Sequence, residues 1–252
     1  MSKKRTSSGK GKNPKRQAIR EKRRAQQRRQ RILLILGIVV AALVIAAVLI
    51  VPSLLPVGEI QTVDPHPRPM EDGRAMGDPN APVTIEVYED FQCPACRDFT
   101  EQNEPQIVDS YVATGDVYYI FRHYPFLDSQ AARKESHQAA NASMCAAEQN
   151  QFWHYHDTLF ANWNGENQGA FSNNRLEAFA EAVGLEMNDF NTCFGQNRYQ
   201  DEIDADKASG DGAGVTGTPS VFVNGRILTP GRVPSFSQIS EAVEAELANS
   251  SN

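Results

Sequence analysis

Two cysteines separated by two residues, Cys93 and Cys96, are the residues of this sequence best suited to chemistry. A CxxC pair occurs in zinc sites and also in redox centres that alternate between a dithiol and a disulfide. A four-ligand zinc site needs a second close pair of ligands, yet Cys145 and Cys193 lie far apart and neither has a Cys or His at ligand spacing. The pattern therefore favours a redox centre, and we expect no metal and no cofactor.

The residues around the pair predict how it is positioned. Apolar and polar residues alternate over 83–88, which predicts a strand, and the strand leads directly to Cys93. Pro94 suits the first turn of a following helix, where a backbone N–H is not needed. Cys93 at the helix N-terminus should be a thiolate of low pKa, because unpaired N–H groups and the helix dipole favour an anion. Cys96, one turn later, should be buried and act as the resolving thiol.

The rest of the body predicts a small sheet interrupted by helices. The strand over 117–122 is rich in β-branched and aromatic residues, and the stretch from about 128 to 205 has helical spacing throughout. Asn224-Gly225 is a typical two-residue hairpin turn. The expected elements are a strand at 83–88, a helix at 94–113 kinked at Pro105, a strand at 117–122, an inserted helical domain at about 128–205, a hairpin at 220–228 and a helix at 235–248.

The N-terminal region has a different composition. Residues 1–31 hold 14 of the 25 Lys and Arg and one of the 31 acids, which leaves 11 basic and 30 acidic residues for the remainder. Such a basic block should be solvated and disordered. Residues 32–51 carry no charge and, as a helix, would span roughly 30 Å, enough for one transmembrane helix. A cleaved signal peptide is the alternative, but its apolar region should be shorter and be followed by small residues.

The flanking charges predict a topology. Lys and Arg massed before residue 32 should keep that end in the cytoplasm, so residues from 52 onward should lie outside the cell membrane. Clustered basic residues also bind nucleic acid, but topology and attraction to anionic lipid explain the block sufficiently, and we expect no nucleic-acid partner. The Pro-rich residues 52–80 should form an extended linker, with the folded domain at 81–252.

Three motifs carry a resemblance to a known family. They are Asp90-Phe91-Gln92-Cys93-Pro94-Ala95-Cys96-Arg97, Arg122-His123-Tyr124-Pro125, and the segment from Gly214 to Gly225 that contains Gly217-Thr218-Pro219. Together they resemble the DsbA-like branch of thioredoxin-fold oxidoreductases over roughly residues 81–247. The resemblance implies an α/β thioredoxin fold with an inserted helical domain.

The resemblance also implies functional roles. Pro219 should form a cis peptide bond against the dithiol, and Thr218 should contribute backbone to substrate binding. Substrates would be exported proteins with free thiols, and the oxidant would be a quinone-linked membrane partner of the DsbB or vitamin K epoxide reductase type.

Two positions depart from the family pattern. Ala95 stands where strongly oxidising relatives often have a His that stabilises the thiolate. Many relatives also have an acid six residues before the first Cys, where this chain has Val87. Glu86 and Glu89 lie nearby, and the sequence assigns the role to neither.

Cys145 and Cys193 fall in the helical insertion. In an oxidising compartment the remaining pair favours a structural disulfide, and similar arrangements occur in some relatives. A second redox-active pair and two free thiols are the alternatives.

The sequence therefore predicts an extracytoplasmic thiol:disulfide oxidoreductase that oxidises exported proteins through Cys93 and Cys96. A disulfide reductase or isomerase of the same fold is one alternative. A non-catalytic thioredoxin-like module that binds client chains is another, and the two cysteines at a strand-helix junction argue against it.

Overall fold

A computed structural model describes residues 14–54, 57–130 and 134–250. The chain divides into two units, Met1–Pro56 and Val57–Asn252. In the first, helix α1 (Pro14–Leu54) contains a 22-residue apolar section, Gln26–Ala47, with a mean hydropathy of 2.5. Its length and composition fit a membrane anchor or a signal sequence.

The basic block differs from the expected disorder. Residues 1–13 lie outside the described part of the chain, but from Pro14 the backbone is helical and continues into the apolar section. Arg, Lys, Gln and Ala are among the best helix formers, and a helix already nucleated by the apolar residues extends easily through them.

The second unit is built on a mixed sheet. In the described residues the sheet has five strands in the order β1-β3-β2-β4-β5, with β2 and β3 parallel and the other pairs antiparallel. The strands are β1 (Ala75–Met76), β2 (Val83–Glu89), β3 (Val117–His123), β4 (Ser220–Val223) and β5 (Arg226–Ile227). The central pairing places Val87 beside Phe121 on one side and Val221 on the other.

Helices connect and cover these strands. After β2 come α2 (Pro94–Gln102), α3 (Glu104–Ile107) and a wider π-helical turn over Val108–Val112, and the chain closes with α9 (Phe236–Ser250). Between β3 and β4 lie a 3₁₀ turn and the helices of the insertion: α4 (Glu135–Ala147), α5 (Phe152–Ala161), α6 (Asn173–Val183), α7 (Met187–Gly195) and α8 (Gln200–Gly212).

The order of elements agrees with the sequence-based expectation. The helix after the dithiol breaks between α2 and α3, directly before Pro105, whose ring cannot continue the preceding turn. Asn224 and Gly225 have φ of 45° and 75°, as the hairpin turn between β4 and β5 requires. The helical insertion is longer than expected, since α8 continues to Gly212.

The expected linker does not form the free, extended chain that its composition predicts. Residues 57–76, called the stem here, have little regular structure yet pack onto the body. Ile60 contacts the hydrophobic core, Arg68 is buried, and Met76 is completely buried within β1. Pro-rich composition predicted an extended chain, but it carries no information about the long-range pairing of β1 with β3.

Candidate active site

The loop between β2 and α2 fixes the first cysteine. The Asp90 carboxylate accepts a hydrogen bond from the Gln92 N–H at 2.9 Å, and the Cys93 N–H donates to the Asp90 carbonyl at 2.9 Å. Cys93 is the N-cap of α2, with φ −77° and ψ 121°, and Pro94 is the first helical residue. The thiol of Cys93 therefore stands at the end of the helix where N–H groups are unpaired.

The two thiols have opposite electrostatic environments. The neighbouring Cys96 thiol lowers the pKa of Cys93 to about 6; burial opposes this shift, while Thr218 and the N–H groups of Ala95 and Cys96 add to it. Burial, followed by the adjacent Cys93 and Glu89, raises the pKa of the completely buried Cys96 well above its usual value. Cys93 is thus the group that ionises at neutral pH, and Cys96 is held as a thiol.

The loop before β4 covers the dithiol from the other side. The Thr218–Pro219 peptide bond is cis. The Cys93 thiol donates to the Thr218 carbonyl over 3.3 Å, and the Ser220 hydroxyl donates to the Gly217 carbonyl at 2.7 Å. The motif around Cys93 is thereby in direct contact with the motif that contains Thr218 and Pro219.

Glu89 is the residue that sequence reasoning did not assign. Its side chain is buried beside Cys96, and neither of its oxygens has a hydrogen-bonding partner among the described residues. Burial, and then the charge of Glu104, raises the pKa of Glu89 well above its usual range. Burial therefore favours the protonated form of this carboxyl, which lies next to the thiol whose proton must move.

A strand pattern could have identified Glu89. Side chains two residues apart on a strand point to the same face. Val87 occupies the position six residues before Cys93, and Glu89 lies one pleat further along the same face of β2. From this position, two residues after Val87, the Glu89 carboxyl reaches the space next to Cys96. Glu86 points to the opposite face and pairs with Arg122 at 2.7 Å.

The helical insertion holds the loop that leads to the dithiol. The Gln92 side-chain amide donates to the Ser136 hydroxyl at 2.8 Å, and its oxygen accepts from the Asn167 N–H at 2.6 Å. Trp163 donates its indole N–H to the Gln92 carbonyl at 2.7 Å. Hydrogen bonds to both the backbone and the side chain of Gln92 therefore hold the loop in place.

Comparison with known proteins agrees with this geometry. The family profile described as "Thioredoxin" matches residues 70–245. The chain belongs to the thioredoxin family.

The relatives of this thioredoxin-family chain fall into two groups. Na(+)/H(+) antiporter NhaA 3 of Salinispora tropica is 35% identical over 150 residues, which are 60% of this chain and 21% of the antiporter. The chain thus spans about a fifth of that relative's length. Disulfide bond formation protein D of Bacillus subtilis is 24% identical over 175 residues, 68% of this chain and 76% of that protein.

Solved structures support the same fold. The oxidised form of BdbD from Bacillus subtilis superposes with a TM-score of 0.62, at 21% identity, over 75% of this chain and 100% of that one. The expected α/β thioredoxin fold with inserted helices is confirmed, as is the resemblance to DsbA-like proteins. The chain is a homologue of thiol:disulfide oxidoreductases.

The remaining cysteines of this thioredoxin-family domain are joined. Cys145 on α4 and Cys193 on α7 form a disulfide that links two helices of the insertion across 48 positions of sequence. Both are buried among the apolar residues of the core. Cys93 and Cys96 are unpaired in the structure, which is the reduced state of the dithiol.

Two histidines, His123 and His137, have pKa values that are set by their own surroundings. Burial lowers the pKa of His123 well below its usual value, so its ring is neutral at neutral pH. His137 lies 2.8 Å from the Asp128 carboxylate, which raises its pKa. Ala95 is half-buried between the cysteines and supplies only its N–H to the Cys93 thiolate.

Proposed function

We propose that the chain is a membrane-anchored thiol:disulfide oxidoreductase that oxidises the dithiols of exported proteins. Cys93 exchanges disulfides with the substrate, Cys96 is the resolving thiol, and Thr218 and Pro219 line the substrate-binding face. The observation that carries the proposal is the asymmetry of the two thiols, with a pKa of about 6 at Cys93 and a raised pKa at the buried Cys96.

This asymmetry favours the oxidising direction. A stabilised thiolate at Cys93 stabilises the reduced enzyme, and a stable reduced form makes the oxidised form a stronger oxidant. The Cys93 thiolate is also a good leaving group when the substrate disulfide is released. Ala95 contributes no positive charge, so the stabilisation comes from Cys96, Thr218 and the N-terminus of α2.

The exchange begins with the oxidised enzyme. A substrate thiolate attacks the Cys93 sulfur, a substrate–Cys93 disulfide forms, and the Cys96 sulfur leaves with the electron pair of the broken bond. The adjacent Glu89, whose raised pKa favours the protonated form, gives its proton to Cys96. The second substrate thiolate then attacks the substrate sulfur of the mixed disulfide, and Cys93 leaves as a thiolate. The substrate gains a disulfide, and the enzyme holds two electrons.

The N-terminal helix fits a role as a single-pass anchor. Its basic flank favours a cytoplasmic N-terminus and an extracytoplasmic catalytic domain. A quinone-linked oxidase of the DsbB or vitamin K epoxide reductase type in the same membrane would remove the two electrons and restore the disulfide.

The reduction potential of the full-length chain in detergent tests the direction of flow. Equilibration with glutathione buffers and thiol trapping would give the potential, with Cys93→Ser as the control for signals from other thiols. We expect a value nearer to about −120 mV, that of DsbA, than to about −270 mV, that of thioredoxin. A value at the thioredoxin end would establish a reductase. The absence of any exchange would favour a client-binding module.

A further inference from the structure

Trp163, in the loop after α5, lies directly beside the residues that carry the reacting sulfur. Its indole N–H donates to the Gln92 carbonyl at 2.7 Å, and Gln92 immediately precedes Cys93. The ring is half-buried, whereas Trp153, the only other tryptophan of the sequence, is 2% exposed within the core. An aromatic side chain is therefore partly open to solvent next to Cys93.

Arg97 borders this ring on the side of α2. Its backbone N–H donates to the Cys93 carbonyl at 3.2 Å, so the two residues lie one helical turn apart on the same face. Its guanidinium lies 5.9 Å from the centroid of the Trp163 ring, at the outer limit of a cation–π contact, and donates to Glu101 at 2.8 Å. The ring therefore has a charged neighbour that is paired with Glu101 rather than packed tightly against the indole.

The loop that carries Trp163 is fixed by the helical insertion. The completely buried Glu135 carboxylate accepts a hydrogen bond from the Gly169 N–H at 3.1 Å. The Asn167 N–H donates to the Gln92 side-chain oxygen at 2.6 Å. The indole is thus held in place before a client binds, and little conformational entropy is lost when it makes a contact.

Two separate segments contact the site where a client reacts. The Cys93 sulfur lies 3.3 Å from the Thr218 carbonyl, and the carbonyl of the preceding residue accepts from Trp163. A client bonded to Cys93 would have its neighbouring residues beside both segments. The Thr218 carbonyl can bind any client backbone, because every residue except proline has an N–H. The indole can instead distinguish one client side chain from another.

We propose that Trp163 is a client-contacting residue whose indole ring binds an aromatic or large aliphatic side chain next to the reacting cysteine of the client. The inference rests on the proposed function, because it names the client segment that would bind beside Cys93. The indole N–H is already bonded to Gln92, so the exposed part of the ring offers apolar surface. Arg97 is paired with Glu101, so a charged client side chain gains little here.

This contact would favour clients that have not yet folded. Aromatic and large aliphatic side chains are mostly buried in folded proteins, and they are accessible beside a cysteine before folding. The indole would thus select the state of the client in which its cysteines still need a disulfide.

Competition between two peptides for Cys93 tests the contact. The full-length Cys96→Ser chain in detergent is equilibrated with equal amounts of the capped peptides Tyr-Cys-Tyr and Ala-Cys-Ala, each present as thiol and as disulfide dimer. Cys93 displaces one thiol from a dimer and forms a mixed disulfide, and no resolving thiol removes it. Mass spectrometry gives the ratio of the two adducts. A change in the reactivity of Cys93 alters both adducts equally and leaves this ratio unchanged.

The Tyr peptide should form about fivefold more adduct than the Ala peptide, the effect of one aromatic pair. In the same Cys96→Ser background, Trp163→Ala should remove this preference. Trp163→Phe should keep it, because the aromatic ring remains although the hydrogen bond to Gln92 is lost. Trp153→Phe is the matched control and should leave the ratio unchanged, since Trp153 is buried and donates to the Ala75 carbonyl.

A spectroscopic measurement covers the case in which Trp163→Ala does not fold. In Cys96→Ser/Trp153→Phe, Trp163 is the remaining tryptophan, and its emission should be quenched less by acrylamide in the Tyr adduct than in the Ala adduct. Cys96→Ser/Trp163→Phe leaves Trp153, whose quenching should be the same in both adducts.

A preference for the Tyr peptide that persists in Trp163→Ala would overturn the inference. Equal amounts of the two adducts in the Cys96→Ser chain, or equal quenching of Trp163 in both, would also overturn it. In each of these cases the formation of adducts at Cys93 would leave the proposed function intact. If the chain formed no adduct with either peptide, both proposals would fall.

Discussion

The Cys93 thiol donates a hydrogen bond of 3.3 Å to the Thr218 carbonyl, which lies 125 residues later in the chain. Everything between these residues, including β3 and the whole helical insertion, is folded so that its two ends meet at the dithiol. In the proposed exchange, a peptide that reacts at Cys93 would lie against the Thr218–Pro219 backbone, and the Thr218 carbonyl would lose its hydrogen bond when the thiol becomes part of a mixed disulfide.

The roles of the two cysteines predict different products for their variants. With a disulfide-linked peptide dimer, Cys96→Ser should accumulate a stable mixed disulfide, because Cys93 displaces one peptide thiol and no resolving thiol remains. Cys93→Ser should form at least about 100-fold less adduct, since Cys96 is completely buried. Mass spectrometry under non-reducing conditions measures both. Equal adducts from the two variants would mean that the assignment of the attacked sulfur is wrong.

The lowered pKa of Cys93 predicts the pH dependence of its reactivity and of stability. Alkylation of the reduced chain should reach half its maximal rate at about pH 6. Since the folded pKa is below the unfolded one, the thiolate stabilises the reduced fold fully above the unfolded pKa, and this contribution is lost as the pH falls through about 6. The oxidised chain has no thiolate at this position.

Thermal unfolding of both redox forms checks the linkage. The Tm of the reduced form should rise relative to that of the oxidised form between about pH 6 and pH 8.5. A Tm difference that is constant over this range would contradict the lowered pKa.

Glu89→Gln should separate activity from stability. Loss of the carboxyl that exchanges a proton with Cys96 should slow thiol–disulfide exchange at Cys96 by about 100-fold at pH 7, within the usual range for general acid–base groups. The raised pKa of Glu89 means that its ionisation opposes folding increasingly as the pH rises above its unfolded pKa. The variant should therefore be more stable than the parent chain at pH 7, and the gain should vanish as the pH falls below the unfolded pKa of a glutamate, about 4.

Glu86→Gln is the control for this pair of effects, because Glu86 lies on the same strand but faces Arg122 on the opposite side of the sheet. Urea denaturation and stopped-flow resolution kinetics would measure both quantities. A Glu89→Gln variant with the rate of the parent chain would exclude the carboxyl as a proton carrier.

Replacing Cys145 and Cys193 together with Ala tests whether their disulfide is structural. It closes a loop of 48 residues between α4 and α7, so its removal should cost about 3 kcal/mol of unfolding free energy. The potential of the Cys93–Cys96 pair and the exchange rate should stay within about twofold of the parent chain, since neither thiol of the insertion contacts the dithiol. A large loss of turnover in a folded variant would instead indicate a second redox-active pair.

Local patterns were sufficient to predict much of the site. The alternation before Cys93, the helix break at Pro105 and the Asn224-Gly225 hairpin are set by neighbouring residues, and each appears in the structure. The proximity of Thr218 to Cys93 was available only through family resemblance, because no local rule relates residues so far apart.

Two features were missed for physical reasons. Glu89 was not assigned because the family offset pointed to Val87, whereas the face of a strand repeats every second residue. The docking of the stem was missed because its Pro-rich composition indicates an extended backbone but not what that backbone contacts. The signal for it was a lone Arg68 among prolines. Its partners, the buried Glu104 and the half-buried Asp157, lie 36 and 89 residues away.

The short edge strands of the sheet limit how other proteins can bind to this chain. β1 and β5 are the outermost strands, and each is two residues long. Exported proteins that have not yet formed their native disulfides are incompletely folded. Their extended segments add readily to a long open strand, which is how sheets recruit chains into aggregates. Edge strands of two residues have too few unpaired backbone N–H and C=O groups to hold an added strand. Under the proposed function, a client would therefore be held by one covalent sulfur bond and then leave, rather than remain joined to the enzyme as an added strand.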